Sequence, residues 1–78
     1  MKEIDYRAIG MRIKRTRKQA HMTQEQVVAK LQLAGCDMSR SIYSQIEGGD
    51  YNIRVTELVA LKQLFGVDYN AFFAGLEE

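Results

Sequence analysis

The stretch MTQEQV, Met22 to Val27, writes a helix start into the chain. Thr23 followed three residues later by Gln26 is a capping box. The threonine oxygen can take the backbone N–H of Gln26 while the glutamine amide returns to the N–H of Thr23. Met22 and Val27 occupy the hydrophobic-staple positions around the box, which fixes the entry angle of the chain. Ser39 repeats the device as a cap, with Met38 and Tyr43 at the same staple spacing. Two consecutive helices are thereby pinned. The first runs from Gln24, buries Val27 and Leu31 with Ala34 as a further candidate, and can end on Gly35. Gly35 to Met38 form the turn. The second turns Ile42 or Tyr43, then Ile46, inward and ends at Gly48 and Gly49.

The rest of the chain is read around this pair. Tyr6, Ile9, Ile13, Thr16 and Ala20 recur at helical spacing, predicting a first helix over Tyr6 to Ala20 with Asp5 as its cap. Gly10 inside it costs about 1 kcal/mol relative to Ala, tolerable where another backbone must come close. After the loop GGDYNIR, the residues Val55, Leu58, Leu61, Leu64 and Phe65 predict a fourth amphipathic helix stopping at Gly66. Arg54 before it is a poor cap. Asp68 is expected to cap a short fifth helix, with Val67 and Phe72 at staple positions. There is no proline, repeat or low-complexity segment, and 78 residues allow one small core. The expected architecture is all-α: five short helices forming a single domain over residues 1–78.

Composition excludes several functions. One cysteine, Cys36, permits no internal disulfide, and with His21 the only histidine there is no Cys/His metal cluster. The expected compartment is reducing and cytoplasmic. No apolar run reaches membrane-span length, and the start MKEIDYRAIG lacks the apolar core of a signal peptide. Ser39, His21 and Asp37 do not make a credible catalytic triad, because so small a core offers no cleft or oxyanion donors, so no enzyme is expected. No cofactor and no small-molecule ligand is expected either. Met11, Met22 and Met38 read as gap-filling apolar residues, Cys36 as an inert turn residue and His21 as a solvent-facing helix end. Charge is polarised. Residues 1–20 carry seven basic residues against Glu3 and Asp5, a balance of +5, while the remainder carries −4. Such a segment attracts polyanions, although a solvated helix face looks the same.

The outward face of MSRSIYSQIEGG, Met38 to Gly49, is the unusual feature. Where a surface helix ordinarily carries Lys and Glu, it offers Arg40, Ser41, Ser44 and Gln45. Short polar groups let a helix approach a partner closely, and Arg and Gln can each pair with a base edge, guanine and adenine respectively. Two helices joined by a tight turn, the second so equipped near its N-terminus, form a helix-turn-helix.

The blocks MTQEQVVAKL, MSRSIYSQIEGG and VTELVALKQLFGVDYNAFF, in that order from about Ile9 to Phe73, resemble the Cro/C1-type helix-turn-helix (XRE) family of phage and bacterial repressors. The resemblance implies a lambda-repressor-like domain in which helix 3 enters the major groove. It implies base reading by Arg40, Ser41, Ser44 and Gln45, and phosphate contacts from Gln24, Thr23 and Ser39, joined by Asn52 and Arg54 in the loop. It also implies a pair between Arg17 and Glu47 that orients the recognition helix. Lys14, on the basic first helix, is a further phosphate candidate. The link QLAGCD is longer than the family commonly has, which predicts an extra turn of helix 2 and a shifted connection.

The expected partner is double-stranded DNA at the nucleoid, bound by a homodimer with half-sites about 34 Å apart. The expected output is repression. The dimer patch expected from YNAFFAGLEE is Phe72 or Phe73, with Leu76. The rival reading is a protein-interaction module of the same fold, an adaptor or antitoxin that does not itself read DNA.

Overall fold

Asp5 begins the first helix as expected: its carboxylate accepts the backbone N–H of Ala8 at 3.1 Å, and α1 runs Tyr6–Gln19. The computed structural model describes residues 5–76, and every regular element in that span is helical. The others are α2 (Gln24–Leu33), α3 (Arg40–Gly48), α4 (Val55–Phe65) and α5 (Asn70–Phe73). α1 packs on α3 and α5, while α2 packs on α3 and α4. Helix α3 therefore rests on both α1 and α2.

The caps predicted for α2 and α3 both form. Thr23 accepts from Gln26 N at 3.1 Å and its own N–H donates to the Gln26 amide oxygen at 2.9 Å. Ser39 accepts from Ile42 N at 3.1 Å. The staple pair Met38 and Tyr43 is buried beneath that start, and Tyr43 and Ile46 face the core while Ile42 is only half-buried. Ile13, Val27, Leu31, Tyr43, Leu61 and Phe72 form the sealed centre of the core, with Ile9, Ile46 and Met38 around them. Each such side chain contributes about 1.5–3 kcal/mol of hydrophobic burial.

Gly10 is where backbones meet. A Cβ there would lie 2.7 Å from the Glu47 carbonyl oxygen and nearer still to that of Ile46. Gly49 closes the same contact from the other side. It ends α3 in the left-handed region at φ 78°, and a Cβ on it would meet the Arg7 backbone. Together the two glycines let α1 and the end of α3 approach to backbone contact.

The link between α2 and α3 is closed by local hydrogen bonds. α2 continues through Leu33, which is exposed, and closes by hydrogen bonds from Gly35 N to Gln32 O (3.0 Å) and from Cys36 N to Leu31 O (2.9 Å). The Gln32 amide then donates to Met38 O at 2.8 Å, tying the end of α2 to the start of α3.

Several expectations give way. Ala20 and Ala34 are exposed, since each is the C-cap of its helix and lies beyond the inward stripe. Val55 is exposed, because it is the first residue of α4 and precedes the turn that meets the core. Met11 is exposed on the face of α1 opposite Ile13 and fills no gap. Asp68 does not cap α5. Its carboxylate accepts only from the adjacent Tyr69 N at 3.0 Å, and α5 starts later, at Asn70. Arg54 has no side-chain acceptor to offer α4, but Glu57 reaches back to Arg54 N at 2.8 Å, supplying half of a capping box. Residues Glu77 and Glu78 and the four N-terminal residues lie outside the described span.

Candidate nucleic-acid interface

Ser41, Ser44 and Gln45 stand exposed on α3, opposite the Tyr43, Ile46 and Glu47 face that holds the helix on the core. Arg40 is exposed at the first position of the same helix. The hydroxyl of Ser39 serves the cap, and Asn52, Arg54 and Lys14 are exposed, the first two in the α3–α4 loop and the last on α1. The four reading candidates thus share α3, and the phosphate candidates are divided among the start of α2, the start of α3 itself, the α3–α4 loop and α1.

The anticipated pair is present and is two-pronged. Arg17 Nε donates to Glu47 Oε2 at 2.6 Å and Nη2 to Oε1 at 3.1 Å, with both side chains almost wholly buried. Nη1 of the same arginine donates to Met22 O at 2.9 Å, so α1 also grips the chain entering α2. Burial alone would push the Glu47 carboxyl up. Hydrogen bonds from Arg17 and Gln24, the nearby Tyr43 hydroxyl and the charge of Arg17 outweigh it and hold the group below the usual carboxylate range. The guanidinium of Arg17 is raised in turn, chiefly by its hydrogen bonds to Glu47. The Tyr43 hydroxyl sits beside this pair, sealed from solvent, and makes no well-formed hydrogen bond of its own. Burial, then the nearby carboxylate, pushes the phenol up.

Gln24 occupies an unexpected place. Its amide Nε2 donates to Glu47 Oε1 at 3.0 Å, and its Oε1 accepts from Arg40 Nε at 2.8 Å. Each end of the amide thus has one partner within the protein, which leaves a second N–H on Nε2. The start of α2 also offers an anion the first-turn backbone N–H groups that the Thr23 cap leaves open. Arg40 Nη1 also donates to Glu25 Oε1 at 2.9 Å. The result is one continuous polar chain, Arg17–Glu47–Gln24–Arg40–Glu25, crossing α1, α3 and α2 from the interior to the surface. The resemblance foresaw its inner link alone. Glu25, the bridging role of Gln24 and the strut from Gln32 carried no local sequence signal, because their partners lie on another element or across the link.

Phe72 leaves the expected dimer patch. It is fully buried, since α5 packs on α1 and turns this ring into the core. Phe73 and Leu76 remain half-buried, packed against the core edge. Arg12 on α1 donates to Ala74 O and ties the chain after α5 to α1.

Elsewhere, an open cleft of about 470 Å³ lies between the α2–α3 link and α4, lined by Cys36, Asp37, Arg54, Glu57 and Ala60 among others. The Glu57 carboxylate is already used by Tyr51 (3.0 Å) and Arg54 N, so it does not converge on this cleft as a free acceptor. Among the described residues no His, Cys, Asp and Glu group could hold a metal ion, and no helix is long and apolar enough to cross a membrane.

Neither a curated protein nor a solved structure matches the chain significantly. Residues 10–78 do match a protein family described as a helix-turn-helix domain, in agreement with the Cro/C1-type resemblance. With α2, the strutted link and α3 supplying the motif, the chain belongs to this helix-turn-helix domain family, whose members are in general DNA-binding regulators.

Proposed function

We propose that the protein is a sequence-specific transcriptional regulator of the Cro/C1 type, a repressor that binds a palindromic operator as a homodimer with α3 in the major groove. The observation that carries this reading is the division of α3 into two faces. One face, Tyr43, Ile46 and Glu47, is locked to the scaffold, and the other presents Arg40, Ser41, Ser44 and Gln45 to solvent. A rigidly held helix with small hydrogen-bonding side chains outward is what major-groove readout requires. The N-termini of α2 and α3, at Gln24 and Arg40, meet the phosphates through first-turn N–H groups, with the Thr23 and Ser39 hydroxyls, Asn52, Arg54 and Lys14 adding phosphate contacts.

Dimerisation follows from the size of the reading surface. One such helix reads only a few base pairs, and a two-fold axis doubles the site. Phe73 and Leu76 at the α5 end are the surface for it, with Phe72 serving the core instead.

Selection of bound sites from random duplex DNA tests the proposal. Enrichment of a palindrome with half-sites about one helical turn apart is expected. Absence of enrichment from folded protein at moderate salt overturns it in favour of a protein-interaction module on the same fold.

A further inference from the structure

Arg40 is held in a clamp built from the first turn of α2. Gln24 Oε1 accepts from its Nε at 2.8 Å and Glu25 Oε1 from its Nη1 at 2.9 Å. Gln24 is itself anchored, through Glu47, to the buried arginine of α1. The outer partner stands in water: the side chains of Arg40 and Glu25 are 55% and 78% exposed. Position alone gives Glu25 a modest purpose, since an acidic residue in the first turn of a helix complements the dipole. The dipole does not require the carboxylate to reach across to α3, however, and it places a negative charge at the helix end that approaches the DNA backbone in this motif.

Resting on the reading of Arg40 as a base-contacting residue, we infer that Glu25 is a specificity-determining residue: it competes with DNA phosphate for the Arg40 guanidinium and shares it with a guanine edge. Magnitudes support the competition. An exposed ion pair of this kind is worth up to about 5-fold in an equilibrium constant. A phosphate oxygen offers Arg40 much what Glu25 already offers, so the exchange gains little on random sequence. A bidentate guanine contact discriminates by roughly 5- to 150-fold, and Gln24 and Glu25 hold only two of the five guanidinium N–H groups, so the others can meet the base edge with the clamp in place. Because the guanine contact is made with the clamp intact while a phosphate has to compete with Glu25, the clamp handicaps non-specific binding more than specific binding, and selectivity rises although no contact from Glu25 to a base is made.

A double-mutant cycle tests this, using the full chain, the operator found by selection and a random duplex of equal length. Thermal melts of each variant establish folding. E25Q is expected to tighten binding to the random duplex by up to about 5-fold. It should also steepen the salt dependence there by about one ion. Operator affinity should change less, so that the ratio of the two falls. In an R40A background the same substitution should do almost nothing. If the gain from E25Q persists in R40A, the effect is bare repulsion between Glu25 and phosphate and the inference fails. It fails equally if E25Q leaves the random duplex unaffected while R40A lowers selectivity. R40A without effect on selectivity sinks instead the assignment of Arg40 as a reader, and the inference with it.

Discussion

Arg17–Glu47 and Arg40–Glu25 are the same chemistry at similar separations, 2.6 and 2.9 Å, in opposite surroundings. The inner pair is sealed beneath the start of the helix-turn-helix, where breaking it leaves a charge without water. The outer pair stands in solvent, where water replaces either partner at little cost. Burial therefore decides what each can do. The inner pair ties α3 to α1 from within, while the outer one is open to an incoming ligand. Gln24, bonded to both Glu47 and Arg40, joins the fixed half to the responsive half.

The largest expected effect is on the inner side. Glu47→Ala strands the buried Arg17 and should cost about 3–5 kcal/mol in chemical denaturation, enough to unfold much of so small a domain. Joint replacement by apolar residues, Arg17→Met with Glu47→Leu, should recover most of that stability. It should not recover selectivity for DNA, because Gln24 loses its anchor and α3 its fixed angle. Full recovery of both would erase the distinction drawn between the pairs.

Next in size is Gly10→Ala. The added methyl meets backbone carbonyls of α3 that have no freedom to rotate away, and about 1–3 kcal/mol should be lost. Unchanged stability would mean that α1 and α3 do not approach as closely as described.

pH separates the pairs more gently. Glu47 is held below its ordinary value of 4.5, so its contribution is fully present above that value and is lost as pH falls through the lower folded value. Thermal stability of the wild type should therefore drop on acidification below about pH 4.5 more steeply than that of the apolar double variant. Parallel curves would show that Glu47 gains nothing from its partners.

Smallest are the surface effects. E25Q should change stability by about 1 kcal/mol or less, whatever it does to DNA binding. Lys14→Gln should leave the fold intact and lower the salt slope of DNA binding by about one if Lys14 touches phosphate, and leave the slope unchanged if it is merely solvated.

How much of this was legible in the sequence follows the range of the forces involved. The caps at Thr23 and Ser39 were readable because donor and acceptor lie three residues apart and local geometry brings them together. Burial of Ile46, Leu31 and Leu61 was readable from periodicity, which left Ile42 and Tyr43 as alternatives, and the close approach at Gly10 from the cost of glycine inside a helix. The Arg17–Glu47 pair spans thirty residues and came only through the family resemblance. Element ends were the weaker part. Asp68 has the composition of a cap but its carboxylate turns to Tyr69 N, and Val55 and Met11 fit an apolar pattern yet lie outside the packed stripe. Phe72 and Phe73 are adjacent aromatics on one short helix, and only the packing of α5 on α1 shows which is buried. Nothing local marks Glu25 as the partner of Arg40, since an acid in the first turn of a helix satisfies the dipole wherever it points.

The most direct measurement is the base-preference profile of the purified protein on duplex DNA, taken for wild type, Arg40→Ala, Gln45→Ala and Asn52→Ala. Arg40→Ala and Gln45→Ala should each lose preference at one base pair per half-site, by about 1–3 kcal/mol, while Asn52→Ala weakens all sequences alike and leaves the profile intact. A profile unchanged by both α3 substitutions, in variants that fold, would contradict the assignment of α3 as the reading helix.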